Sequence, residues 1–278
     1  MVPIRDINGT VIGFGGRILP SLYPEPTQPV RPLQQQDEDD DDDAPINPAA
    51  PSAKRVPAKY VNSPTSSVFA KGSTLYGIDV ACSTVAVSRR VLVVEGYFDV
   101  ISLHDSGVCD AVGCLGTAFT APQLLLAAHL GRSQDITDSD DKGKEGMNEV
   151  VLWLDADDAG LRAVHRFLSQ VMKPPSPTAR RILPAHPALA ELSRVNLRVA
   201  STASLSSGES RRRLTAHFLT LTPDADPVSI DGAITSLAQC KDASDLCVLA
   251  GQLRVPVPLL VELISGAALD WRARLIQW

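Results

Sequence analysis

The sequence predicts an α/β fold, a largely parallel sheet flanked by helices, on three observations. Apolar, strand-like runs at 91–94, 111–115 and 150–154 are each followed by a helical pattern; the helices carry start or stop signals; and two of the runs end in acids, Glu95 and Asp155. Strands alternating with helices imply right-handed crossovers and a ligand site beyond the carboxyl ends of the strands.

Taken in order, residues 2–5 and 11–14 are short strand-like runs around Asn8-Gly9, a hairpin signal whose two turn positions both favour positive φ. A small β region is expected there. Residues 91–94 form a β-branched run ending in Glu95-Gly96, and 97–104 read as a helix that Gly107 stops. Residues 111–115 are strand-like. Thr120 and Gln123 then form a capping box opening a helix over 121–130, with Pro122 allowed in its first turn. Residues 150–154 make a third buried strand, closed by Asp155-Ala156-Asp157-Asp158-Ala159-Gly160 before a helix over 161–171, and 197–200 supply a fourth strand.

Three stretches interrupt this pattern. Residues 24–57 hold repeated prolines, a glutamine tract and seven consecutive acids at 37–43, a composition too polar to offset its ordering entropy, so a disordered insert is expected. Polar segments at 132–149 and 173–187 are expected to project from the surface. The expected organisation is a partial first subdomain over 1–86, a main domain over 87–250, and the start of a helical segment over 251–278.

Composition narrows the function classes. The 278 residues are 44% hydrophobic, enough for a real core. Five cysteines, at 82, 109, 114, 240 and 247, include no Cys-x-x-Cys pair, which argues for a reducing compartment and against both a disulfide framework and a zinc site. The apolar runs are far shorter than the roughly 20 residues of a membrane helix, so no membrane partner is expected. The formal charge of −6 becomes −6 + 7 = +1 without the acidic run, which permits a nucleic-acid partner.

The chemistry rests on carboxylates. Asp155 and Asp157 lie two apart on an extended segment and leave it on the same side. If the strand ending at Glu95 lies beside theirs, three acids converge, and such hard oxygen ligands suit Mg²⁺ or Mn²⁺ shared with phosphates. The alternative is that Asp157 and Asp158 only cap the next helix and Glu95 the one before it. Spacing does not separate the two.

Val91-Leu92-Val93-Val94-Glu95-Gly96-Tyr97-Phe98-Asp99-Val100, Leu115-Gly116-Thr117-Ala118 and Leu154-Asp155-Ala156-Asp157-Asp158-Ala159-Gly160 resemble, in that order, the first motif, the L-G-T-A block and the D-x-D motif of the TOPRIM domain of the DnaG-type primases. Upstream, Pro3-Ile4-Arg5-Asp6, Val11-Ile12-Gly13-Phe14-Gly15-Gly16-Arg17, Lys59-Tyr60-Val61-Asn62-Ser63-Pro64 and Phe69-Ala70-Lys71-Gly72-Ser73-Thr74-Leu75-Tyr76-Gly77 resemble the part of primase just before that domain. Topoisomerases and nucleases with the same domain lack these upstream blocks.

The resemblance implies a TOPRIM-like Rossmannoid sheet preceded by a β-rich remnant of the primase amino-terminal subdomain. It implies an enzyme that makes short RNA primers on single-stranded DNA by two-metal nucleotidyl transfer. Glu95, Asp155 and Asp157 are implied as catalytic metal ligands, with Asp99 in the same cluster. Lys241-Asp242-Ala243-Ser244-Asp245 resembles the last acidic motif and adds Asp242 and Asp245, although the family has D-x-D where these two are three apart. Arg5, Arg17, Lys59, Asn62 and Lys71 fall where the family holds template or nucleotide phosphates.

The implied partners are the template strand, ribonucleoside triphosphates and, for the full-length family, a replicative helicase whose binding region is not expected here. The expectation is a truncated or reduced primase, placed in a plastid or mitochondrion if eukaryotic and in the cytoplasm or nucleoid if bacterial. Competing readings are another TOPRIM enzyme, such as a nuclease or topoisomerase, and a non-catalytic nucleotide- or nucleic-acid-binding module. His104 and His165 read as packed or half-exposed histidines, residues 211–213 as a solvated basic face, and Gly13, Gly15 and Gly16 as positions of close backbone packing.

Overall fold

The computed structural model describes residues 1–17, 60–116, 119–131, 147–155, 162, 165–167, 195–206 and 208–270. The expected insert 24–57, the segment 173–187, Lys59, Asp157, residues 271–278 of the expected helical segment and most of the helix expected over 161–171 lie outside them.

A three-stranded antiparallel sheet comes first, from β1 (Val2–Arg5), β2 (Val11–Arg17) and β3 (Tyr60–Asn62) in that order. Its turn differs from the expected two-residue hairpin. Only Gly9 takes positive φ, +82°, and its N–H donates to the Asp6 carbonyl at 3.0 Å. The Asp6 carboxylate accepts the N–H groups of Asn8 and Thr10, both at 2.9 Å, so an aspartate-held turn spares Asn8 the left-handed conformation.

The main sheet follows from β4 (Arg90–Val94), β5 (Ala111–Gly113), β6 (Glu149–Leu152), β7 (Asn196–Val199) and β8 (Leu269–Asp270). Their spatial order is β5-β4-β6-β7-β8; the first four are parallel and β8 is antiparallel. Both faces are covered, which is why β4 and β6 read as continuous apolar runs rather than alternating ones. Leu92, Val94, Val151 and Trp153 pack with α2 (Tyr97–Asp105) and with the carboxyl-terminal helices α4 (Gly208–Leu221), α5 (Pro227–Ala238), α6 (Ala243–Leu253) and α7 (Val257–Ala267). Val91, Val93, Val150 and Leu152 pack on the other face with α1 (Ile78–Ser88) and α3 (Ala121–His129).

Two expectations change at the edges. The polar segment expected over 132–149 ends early, because Asn148 is fully buried: its amide donates to the carbonyls of Ala127 and Leu130 at 3.1 and 2.8 Å and so closes the end of α3. The helical segment expected from residue 251 does not run through Asp270. Leu269 and Asp270 pair instead with Val199 and Arg198, and Arg198 donates to the Ala268 carbonyl, which holds this edge strand on the sheet.

The small sheet docks on the main domain through Ile4, Phe69, Tyr97 and Leu115. A Cβ on Gly15 would come within 2.4 Å of the Tyr97 ring, so only glycine lets β2 pass this close. Tyr76 bridges to Gly113 by two backbone hydrogen bonds of 2.8 and 3.0 Å. Among the described residues no helix is long and apolar enough to cross a membrane. All five cysteines are free.

Candidate active site

The order β5-β4-β6-β7 contains a reversal. From β4 the chain moves to β5 on one side, then crosses back to β6 on the other. At such a switch point the two outgoing connections diverge and leave a crevice beyond the carboxyl ends of the central strands. Glu95 follows β4 directly and Asp155 lies just past β6, its parallel neighbour. The condition set by the sequence reading, that these two strands be adjacent, is met.

A cavity of about 600 Å³ opens there. Its lining includes the acids Glu95, Asp99, Asp155, Asp242 and Asp245 together with Arg17, Asn62 and Lys71 from the small-sheet region, and Lys241. Eight of the sequence-named site residues thus share one space. Arg5 does not line it: its guanidinium donates to the Gly9 carbonyl at 2.6 Å and sits 4.0 Å from Asp79, so it braces the first turn. Lys59 and Asp157 lie outside the described residues.

Each acid is placed by a backbone feature. Asp99 is buried in the first turn of α2, and its carboxylate accepts the Gly96 N–H at the start of its own helix and the Ser244 N–H at the start of α6, both at 3.1 Å. Burial pushes its pKa up to about 6, with the charges of Asp242 and Asp155 adding to the rise and the two backbone donors opposing it. Asp242 is the N-cap of α6 and accepts the Asp245 N–H at 2.8 Å. The capping role and the cavity position therefore coincide in one residue. Ser102 and Ser244 hydroxyls, 2.9 Å apart, further tie α2 to α6.

The cationic side is held from below. Gln123, fully buried, keeps the capping box expected at Thr120, and its amide also reaches the carbonyls of Lys71, Thr74 and Cys114 at 3.0, 2.9 and 3.1 Å. One side chain thus ties the Lys71 turn, β5 and α3 together. The Lys71 ammonium lies against Gly116, where a Cβ would stand 2.9 Å from Nζ, and Leu115 beside it takes φ +64°. Arg17 lies over the Phe98 ring, 5.9 Å from its centroid.

Sequence reasoning passed over Lys241, although it stands directly before Asp242 in the last acidic block. Its ammonium is 3.7 Å from Asp155 Oδ2. The residues set aside stay aside: His104 bonds the Ala111 carbonyl at 2.8 Å, and Arg211, Arg212 and Arg213 pair with Asp231, Glu209 and Glu262 on the surface. Among the described residues no three His, Cys, Asp or Glu side chains stand close enough to hold an ion unaided. The donors ring an open space instead. That suits an ion of the Mg²⁺ type, which takes one or two carboxylates and completes its shell with water and substrate phosphates.

Residues 89–182 match the family model for the Toprim domain. Over this stretch the chain is similar to a Toprim domain. Its motifs are those read from the sequence, with Glu95 at the end of the first strand of the domain and Asp155 at the end of the third. Among curated proteins, the chain is 34% identical over 171 residues to the DNA primase of Synechococcus elongatus, covering 62% of this chain and 18% of that protein. It is 34% identical over 172 residues to the DNA primase of Deinococcus radiodurans, covering 62% and 22%. The chain spans about a fifth of the length of these relatives. A solved structure of the RNA polymerase domain of Mycobacterium tuberculosis primase DnaG is similar with a TM-score of 0.42 at 23% identity, over 86% of this chain and 69% of that one. The resemblance to DnaG-type primases read from the sequence holds on the family-model match and the two curated relatives.

Proposed function

We propose that this chain is a catalytic region of a DnaG-type DNA primase, joining ribonucleotides into short primers on a single-stranded DNA template with Mg²⁺ or Mn²⁺. One observation carries the reading: acids from two adjacent strand ends and a helix start share a cavity with cations delivered by a separate small sheet and its following turn. Primer synthesis needs that pairing, because metal-binding oxygens and phosphate-binding cations must meet the same nucleotide.

In this reading Glu95, Asp155 and Asp242 would hold the ions, with Asp99 and Asp245 beside them in the cavity, and the sequence motif nominates Asp157 as a further ligand. Bound ions would supply activation of the primer hydroxyl and stabilisation of the pyrophosphate leaving group. Lys71 and Arg17 orient the triphosphate, and Asn62 offers a neutral donor or acceptor to the same ligand. Glu95 accepts the proton of the attacking hydroxyl oxygen. Buried Asp99 holds the start of α6, and with it Asp242, against α2.

Primer synthesis on single-stranded DNA, measured with either ion, tests this. Asp155→Ala is expected to abolish the product made by the wild type. Equal product from both, or strand cleavage in place of synthesis, overturns the assignment. Metal-dependent nucleotide binding without product from the wild type favours the non-catalytic module.

A further inference from the structure

A cavity lined by five carboxylates carries a cost when no ion fills it, since like charges in a partly desolvated space repel. Two lysines, Lys71 and Lys241, line that space, and Lys241 stands beside one of its acids. Lys241 immediately precedes the N-cap of α6, and its ammonium lies 3.7 Å from Asp155 Oδ2. The Asp155 side chain is 23% exposed while that of Lys241 is 53% exposed, so the acid lies deeper in the crevice and the lysine reaches in from the rim. A flexible four-carbon stem carrying a compact charge can leave by rotation without disturbing α6.

We propose that Lys241 is an internal counterion of the metal site. It neutralises Asp155 while no divalent ion is bound, competes with that ion for the carboxylate, and is released towards phosphate oxygens when the ion takes its place. The inference rests on the metal reading of Glu95, Asp155 and Asp242 given above. It follows from geometry and charge: an ion bound to Asp155 Oδ2 and an ammonium at the same oxygen stand within a few ångströms, and two cations that close repel. Because the displaced lysine lines the same cavity as Lys71 and Arg17, a nucleotide triphosphate gives it a new partner. Ion and triphosphate then favour each other's binding, by thermodynamic linkage. Without nucleotide, the site is held at lower ion affinity than its carboxylates alone would give.

Mn²⁺ binding to the full chain without nucleotide, followed by the loss of the free-ion electron paramagnetic resonance signal, tests this. Lys241→Gln is expected to bind Mn²⁺ roughly three- to tenfold more tightly than wild type, a modest factor because the pair is partly solvated. Lys241→Arg, which keeps the charge, is expected to bind like wild type. Far-ultraviolet circular dichroism verifies that both variants are folded, as the exposed position of Lys241 predicts. Equal or weaker Mn²⁺ binding by Lys241→Gln overturns the counterion role while leaving the metal site in place. Wild-type protein that binds no Mn²⁺, or binds it no better than Asp155→Ala, overturns the metal reading itself and the counterion role with it.

Discussion

The carboxylate of Asp99 accepts the backbone N–H of Ser244 at 3.1 Å, which joins the first turn of α2 to the first turn of α6 across the sheet's carboxyl end. The buried acid is also held to a pKa of about 6 against an ordinary value of 3.8. The folded chain therefore binds this proton more tightly than the unfolded chain does. Stability from this group is full below pH 3.8 and is lost as pH rises through 6.

The first prediction is that the metal-free protein loses stability between pH 4 and pH 7, by at most roughly 3 kcal/mol from Asp99. Urea denaturation at several pH values, for wild type and Asp99→Asn, measures it. The variant is expected to lack this part of the slope; superimposable pH profiles would contradict the assignment.

The second concerns the two acids at the start of α6. Asp242→Ala removes an N-cap as well as a cavity carboxylate and is expected to cost about 1 kcal/mol of stability. Asp245→Ala removes no cap acceptor, because its own N–H is the donor to Asp242. Thermal melts of the two variants should therefore differ, with Asp242→Ala lower; the reverse order would mean that the cap does not contribute.

The third follows from Gln123. Gln123→Leu leaves three buried or half-buried carbonyls without that donor and is expected to cost about 2–4 kcal/mol. Hydrogen exchange should quicken first in the Lys71 turn and at β5. Faster exchange confined to α3 would show that the amide only serves its own helix.

The fourth is steric. Gly15→Ala drives a methyl group into the Tyr97 ring and is expected to cost about 1–3 kcal/mol. Adding Tyr97→Leu should recover part of that loss, since the clash then has nothing to meet. A double-mutant cycle by chemical denaturation reads the coupling, and strict additivity would refute the contact.

Much of this fold was legible because its central strands are buried on both faces. Runs such as Val91-Leu92-Val93-Val94 leave the chain little alternative, and strand-end acids point to a crevice by topology alone. The helix α1 was not legible: Val80, Thr84 and Val85 are weak helix formers, and the helix is bounded by Gly77 and Arg89, both in the left-handed conformation. Of the carboxyl-terminal helices, only α7 falls in a segment that was expected to be helical. The buried positions of α4, α5 and α6, such as Leu214, Ile234 and Leu246, declare themselves only once they share one packed cluster with Leu92 and Trp153. At the site, Glu95, Asp155 and Asp242 could be named from local blocks. The partnerships of Gln123 with Lys71, and of Lys241 with Asp155, join distant parts of the chain, and no local pattern encodes such meetings.

The segment after α3 returns to the sheet at Glu149, the amino end of β6, whereas the acids stand at the other end of the same strand. The two ends are insulated by the strand itself, whose hydrogen bonds to β4 and β7 set its register. Insertions or deletions between Gly131 and Met147 can therefore accumulate without shifting Asp155 relative to Glu95.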